Sequence, residues 1–352
     1  MRYPKSLKKG GTIGFIAPSF GCAIEPYKTR FENAQRIFKE MGYKLYLGPN
    51  CSADCGLGIS NVPSKCGEEL NSAMTGNDAD VIITCGGGEL MCEVVPYIDF
   101  EKIKQSEPKW YMGFSDNTNY TFLSAILADT ASVYGPCAPA FGREPWDESI
   151  KDALSLLSGE IDEVQGYEMW ESGDFGNDEG GDGEISTEEP DPLETYHLDR
   201  KTEYRYFNGD GKAEFEGRLI GGCVDILQLH IGTKYDKVDE FLEKYKDDGF
   251  IWFLECCDYT PMSIRRAFWQ MREAGWFKYV KGFLIGRPLH FGEEMMGVDQ
   301  YNAVTDVIGE MGVPIVMDVD IGHLPPMMPI ISGAKAKVSA KENNLKIHYI
   351  YE

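Results

Sequence analysis

Short apolar runs alternate with amphipathic stretches through the first 160 residues, and this alternation leaves few ways for the chain to bury itself. The runs are Thr12–Ala17, Lys44–Leu47, Asp80–Cys85, Trp110–Phe114 and Ser132–Tyr134. They predict an α/β fold in which a parallel sheet is wrapped on both faces by helices. Between the first two runs, Tyr27, Phe31, Ala34, Phe38 and Met41 recur at spacings of four, three, four and three, with Gly42 placed to end the helix. That stripe reads as core.

The pattern breaks at Glu160. From there to Glu194, 14 of 35 residues are Asp or Glu, none is Lys or Arg, and Gly and Pro punctuate the run. This segment reads as a long solvated excursion or domain connection. Order resumes near Tyr204, with a helix near Gly222–Ile231, a strand Phe250–Leu254, a helix Pro261–Ala274, a strand Gly282–Ile285, a helix Gln300–Met311 and a strand Pro314–Met317. The tail, Ala334–Ser339 and Leu345–Ile350 around Glu342-Asn343-Asn344, reads as a hairpin. The expected organisation is an N-terminal domain over 1–160, an acidic connection over 161–212 and a C-terminal domain over 213–352, consistent with 352 residues at 43% hydrophobic content.

A formal net charge of −23 repels nucleic-acid backbones and anionic headgroups, so no nucleic-acid polymer and no membrane surface is expected as a partner. The run Thr12–Ala17 is too short for a signal-peptide core, and no stretch approaches the roughly 20 apolar residues that span a bilayer. Ten cysteines without paired C-x-x-C blocks read as reduced, mostly buried thiols. The expected location is cytoplasmic. Asp178, Asp182, Gly183 and Glu189 mimic the frame of a calcium loop, but Gly180 holds its third position and no helix pair flanks it, so no metal is expected.

Trp110-Tyr-Met-Gly-Phe-Ser115-Asp-Asn-Thr118 runs from an apolar strand into a helical pattern, which puts Ser115 at a sharp strand-to-helix turn. A serine nucleophile needs that exposure, and its oxyanion needs preorganised donors such as the N–H groups at a helix start. A plain helix N-cap fits the same residues. Upstream, Asp80–Cys85 ends in Gly86-Gly87-Gly88-Glu89, where backbone approaches a ligand closely. The Gly86 or Gly87 N–H is therefore a candidate oxyanion donor beside that of Asp116, with Gly86 and Gly88 as candidate substrate contacts. The spacing is not that of a dinucleotide or phosphate loop, so no nucleotide cofactor is expected.

Of five histidines, His230 lies in an apolar helical run, His348 in the terminal hairpin and His197 just past the acidic excursion. His323 and His290 both stand in Gly- and Pro-bounded loops after strands, where catalysis favours a base. The carboxylate that orients such a base belongs where solvent is scarce, and the apolar strand Phe250–Leu254 ends in Glu255.

Taken in order, Gly-Gly-Gly (86–88), Gly-Phe-Ser-Asp (113–116), Tyr-Gly-Pro (134–136), Gly-Arg-Leu-Ile-Gly-Gly (217–222), Phe-Leu-Glu (253–255) and Gly-His (322–323) resemble the LD-carboxypeptidases, a serine peptidase family that includes the microcin C immunity proteins. The resemblance covers nearly the whole chain. It implies Ser115 as nucleophile, His323 as general base and acid, and Glu255 as its orienting carboxylate. It also implies a homodimer, no metal or organic cofactor, and a Rossmann-like N-terminal domain facing a mixed α/β C-terminal domain with the active site between them. Shorter members look like muropeptide carboxypeptidases, longer ones like the microcin immunity branch, which cleaves a peptidyl-nucleotide. The length of this chain, and Trp170 near that branch's aromatic substrate loop, lean to the second, with Trp170 as a base-stacking residue or a plain packing one. Cys223 replaces the usual Asn, and Cys256-Cys257 replace common acidic residues.

The expected activity is acyl transfer from a small peptide or peptidyl-nucleotide to Ser115, then hydrolysis. A non-hydrolytic binding protein on the same fold and a thiol amidase built on Cys85 are the alternatives.

Overall fold

The computed structural model describes residues 1–56, 58–173 and 191–351. The five predicted strands form as Thr12–Ile16 (β1), Lys44–Leu47 (β2), Val81–Thr84 (β3), Trp110–Gly113 (β4) and Ser132–Tyr134 (β5), all parallel, in the order β2-β1-β3-β4-β5. Strand order reverses between β1 and β3, so the loops leaving those carboxyl ends open a crevice, where open α/β sheets bind ligands. Every residue of β3 and β4 is buried, which is why they read as unbroken apolar runs.

The acidic segment is more than a connection. Its described ends supply Glu163–Gln165 (β6), the pair Met169–Trp170 (β7) and Arg200–Lys201 (β8), and Arg205–Phe207 (β9). The second sheet follows with Lys212–Cys223 (β10), Phe250–Glu255 (β11), Val280–Gly286 (β12) and Ile315–Val319 (β13), four parallel strands at its centre. After Ile330–Ser332 (β14) come Lys335–Lys341 (β15) and Asn344–Ile350 (β16), the expected hairpin. The order β6-β16-β15-β10-β11-β12-β13-β9 puts β6 and β9 at opposite edges. β14 returns to the first sheet, antiparallel to β5, so the chain does not divide cleanly at the expected boundaries.

The helix Thr118–Ala128 lies between the two sheets and is buried over Thr118–Ala125, its Thr, Asn and Ser side chains included. Its Phe122 ring packs 5.3 Å from Trp276 and 6.3 Å from Trp252 of β11, while Tyr134 at the end of β5 packs 5.6 Å from Phe253. The sheets therefore share apolar core.

The structure alters three expectations. In the helix Tyr27–Glu40 only Phe31, Ala34 and Phe38 are buried; Tyr27 and the following Met41 lie beyond the sheet face and are exposed. The helix expected over Gln300–Met311 ends at Ile308 and closes with a 3-10 turn. The helix expected near Gly222 begins only at Val224, because β10 pairs with β11 as far as Cys223 opposite Glu255. Gly221 has φ +152°, and a Cβ there would collide with the Phe253 carbonyl oxygen.

Gly221→Ala should therefore destabilise the fold by about 3 kcal/mol or more. Gly42→Ala, at φ +90° in open space, should lose only about 1 kcal/mol. Urea denaturation of the two variants checks the contrast.

Candidate active site

β4 delivers the chain into a sharp turn. Phe114 is extended, and Ser115 then adopts φ +60°, a left-handed conformation that costs a non-glycine residue roughly 1 to 2 kcal/mol. Hydrogen bonds hold it there. The Ser115 N–H donates to the Tyr134 hydroxyl at 3.2 Å and the Asn117 N–H to the Phe114 carbonyl at 3.1 Å. The Asn117 amide donates to the Gly86 carbonyl at 2.8 Å and accepts from the Tyr111 hydroxyl at 2.6 Å. The turn thereby lifts the serine hydroxyl above the carboxyl edge of the sheet, at the start of the buried helix.

His323 arrives from the loop after β13. Its Nε2 lies 2.9 Å from Ser115 Oγ, and its Nδ1 lies 2.9 Å from Glu255 Oε2. Glu255, last residue of β11, is fully buried, and its second oxygen accepts from the Tyr134 hydroxyl at 2.5 Å. A carboxylate in such a place is costly unless satisfied, and here it is. Gly322 permits the approach: at φ +112°, a Cβ would lie 2.6 Å from Glu255 Oε2. Burial alone would raise the Glu255 pKa, but the His323 charge and the hydrogen bonds from His323 and Tyr134 outweigh it and hold it low. Burial alone would lower the His323 pKa, yet Glu255 and Cys257 hold it well above the ordinary histidine value.

The glycine loop meets the same hydroxyl. A Cβ on Gly87 would lie 3.0 Å from Ser115 Cβ and 3.2 Å from its Oγ, so only bare backbone leaves space for a substrate carbonyl. The Gly87 carbonyl accepts from the Phe20 N–H at 2.7 Å, and Gly88 packs against Ser19. Asp116 is buried, and its carboxyl group accepts from the Ser19 hydroxyl, the Met91 N–H at 2.9 Å and the Asn119 amide at 2.9 Å. Burial raises its pKa to about 6. The N–H groups of Gly87 and Asp116 have no acceptor among the described residues, as donors kept for a developing oxyanion require.

Ser115, His323 and Glu255 thus converge, with Gly87 and Asp116 around the hydroxyl. Trp170 does not join them. It is buried in β7, its ring 4.9 Å from Phe291, with the Arg287 guanidinium 4.8 Å and the Arg200 guanidinium 5.6 Å from its centroid and its Nε1–H donating to the Lys201 carbonyl. These contacts are those of a packed ring, which also borders a pocket with Arg200, Phe291 and Tyr301. His290 is exposed on the turn after β12. His230 is buried, which pushes its pKa down to about 4, and His197 and His348 are exposed. Cys85 is buried and its thiol pKa is pushed well up, unlike a reactive thiolate. The residues of the calcium-like frame, Asp178 to Glu189, lie outside the described residues. Among the described residues no cluster of His, Cys, Asp or Glu is arranged to hold a metal, and no helix is long and apolar enough to cross a membrane.

Sequence reasoning missed Tyr134 as an individual residue. Its hydroxyl joins the buried carboxylate to the backbone of the serine turn, and the available signal was a tyrosine closing a short buried strand.

Comparison with known proteins identifies the family and the fold. Residues 13–135 match the family model of the LD-carboxypeptidase N-terminal domain, and residues 216–338 that of the LD-carboxypeptidase C-terminal domain. The chain is 26% identical to a putative carboxypeptidase of Vibrio cholerae, covering 99% of this chain and 98% of the relative. It is 25% identical to the microcin C7 self-immunity protein MccF of Escherichia coli, covering 97% and 94%, and 26% identical to a probable murein peptide carboxypeptidase of Bacillus subtilis, covering 98% and 93%. Among solved structures, MccF in complex with glutamyl sulfamoyl guanosine superposes with a TM-score of 0.78 at 22% identity, covering 99% of this chain and 98% of that one. An MccF-like protein from Bacillus anthracis gives 0.79 at 22% identity, covering 99% and 100%. At that identity the structures speak to the fold.

The titratable groups acting on His323 are Glu255, Cys257 and Glu89, and Glu255 contributes the largest upward effect. Histidine-selective NMR should place the His323 titration above the usual value of about 6.5. Glu255→Gln should move it down, because the imidazolium loses its counter-charge; an unmoved titration would contradict this electrostatic account.

Proposed function

The chain belongs to the LD-carboxypeptidase family of serine peptidases, and we propose that it hydrolyses the amide bond of a short peptide through an acyl-enzyme on Ser115. The observation that carries this reading is the continuous relay from Ser115 Oγ through both ring nitrogens of His323 to Glu255, each step 2.9 Å. Substrate enters with its scissile carbonyl between Ser115 Oγ and the N–H groups of Gly87 and Asp116. As Oγ attacks the carbonyl carbon, His323 Nε2 takes its proton, and the negative oxygen is met by those donors. The imidazolium then gives the proton to the leaving nitrogen, and the amine departs. A water molecule repeats the sequence: His323 takes its proton, the hydroxide attacks the ester, and Ser115 recovers its hydrogen as the carboxylate product leaves. Glu255 keeps Nδ1 protonated and stabilises the cation in both halves.

For the substrate we favour a plain peptide of muropeptide type, because the Trp170 ring is already occupied by the guanidiniums of Arg287 and Arg200. A peptidyl-nucleotide is the second reading. It is supported by a pocket of about 180 Å³ in which the rings of Trp170, Phe291 and Tyr301 and the cations of Arg200, Lys201, Arg205 and Arg287 stand beside the carboxylates of Glu203 and Asp318, a lining whose rings suit an aromatic group. The family resemblance supports a cytoplasmic homodimer; the ten free cysteines suit a reducing compartment.

Ser115→Ala should fold normally and lose turnover by about a thousandfold or more. Parallel assays on a muropeptide tetrapeptide and a peptidyl-adenylate mimic, read by mass spectrometry, should show release of the terminal amino acid from the tetrapeptide. Cleavage of the mimic alone would favour the second reading, and near-wild-type turnover by Ser115→Ala would reject both.

A further inference from the structure

Among the described residues and outside the catalytic contacts, the most enclosed charged pair is Arg287 with Asp320, 1% and 0% exposed. Burying an ion pair is poor evidence for stability, since well-packed apolar residues of the same volume often serve as well or better. What such a pair does supply is a fixed geometry, and this one sits at the root of the loop that carries His323.

Arg287 directly follows β12, the neighbour of the strand that ends in Glu255. Its guanidinium donates to the Asp318 carbonyl at 2.6 Å and to the Asp320 carboxylate, and its backbone N–H donates to the Val319 carbonyl at 3.3 Å. One side chain and its own amide therefore span three consecutive residues, the last only three positions before His323. The second Asp320 oxygen accepts from the Tyr204 hydroxyl at 2.8 Å and the Tyr167 N–H at 2.9 Å. Its carbonyl accepts from the Met328 N–H at 2.7 Å, which closes the loop on its far side. From the same flanking segment, the Glu171 N–H donates to the Pro325 carbonyl at 2.7 Å.

We infer that Arg287 and Asp320 are positioning residues that hold the His323 loop in register with Ser115 and Glu255, and that Tyr167, Glu171 and Tyr204 brace that loop from outside. Neither touches the reacting atoms; both act through the placement of the imidazole. The inference rests on the Ser115 hydrolase reading. Its physical basis is that a displacement of about 1 Å in a catalytic group can lower the rate about 100-fold.

The test is the rate at which a fluorophosphonate labels Ser115 across pH, since labelling reports activation of the hydroxyl without needing the natural substrate. Wild type, Ser115→Ala, Arg287→Lys, Asp320→Asn and Tyr204→Phe would be compared, with circular dichroism and melting temperature measured alongside. The expected result is labelling roughly 10- to 100-fold slower in Arg287→Lys and Asp320→Asn, with the acid limb displaced to lower pH as His323 loosens from Glu255. Folded variants that melt earlier yet label at the wild-type rate with an unmoved limb would show a merely structural pair and overturn the inference. Should both variants fail to fold, Tyr204→Phe, which removes one hydrogen bond from Asp320, decides: slower labelling supports the inference and an unchanged rate overturns it. Failure of the wild type to label, or labelling of Ser115→Ala, would remove the hydrolase reading itself and this inference with it.

Discussion

The contact between Glu255 and His323 is the interaction around which the rest is arranged. A fully buried carboxylate is tolerable only while donors satisfy it, and the donors here come from opposite halves of the chain: an imidazole from the loop after β13 and a phenol from the end of β5. Anything that separates the sheets strands a charge in a low-dielectric interior. Correct assembly of the two sheets is thus coupled energetically to correct assembly of the site.

That coupling runs through tightly apposed backbone. The helix after Ser115 is buried over Thr118–Ala125 because it is wedged between the sheets, and Thr118 at its start accepts from the Cys223 N–H at 3.1 Å. The serine turn is therefore referenced to the first sheet through Gly86 and Asn117 and to the second through Cys223. Strain at Ser115 persists because several independent hydrogen bonds determine its position.

Much of the architecture was legible in the chain because β1, β3 to β5 and β11 are buried on both faces, and unbroken apolar runs announce that directly. Gly221 and Gly222 were harder. Two glycines before an apolar stretch resemble a helix start, and only the pairing of Cys223 opposite Glu255 makes them the end of a strand. Local position could nominate Ser115 and Glu255, but His290 and His323 follow strands in similar loops, and nothing local separates them. The distinction is spatial, set by which loop folds back across Glu255. Tyr134 illustrates the same limit, since its hydroxyl matters through two partners 19 and 121 residues away. For Trp170, sequence offered packing or stacking; the guanidiniums on its ring come from residues that no spacing rule connects to it.

The return of β14 to the first sheet has a consequence for how this protein is built and inherited. Ile330–Ser332 caps the open side of β5, so an N-terminal fragment ending near residue 160 would present bare N–H and C=O groups along that strand. Such an edge recruits other chains. The halves are accordingly poor candidates for separate expression, reshuffling or fusion as free-standing modules, and a ribosome must finish nearly the whole polypeptide before its first sheet is sealed.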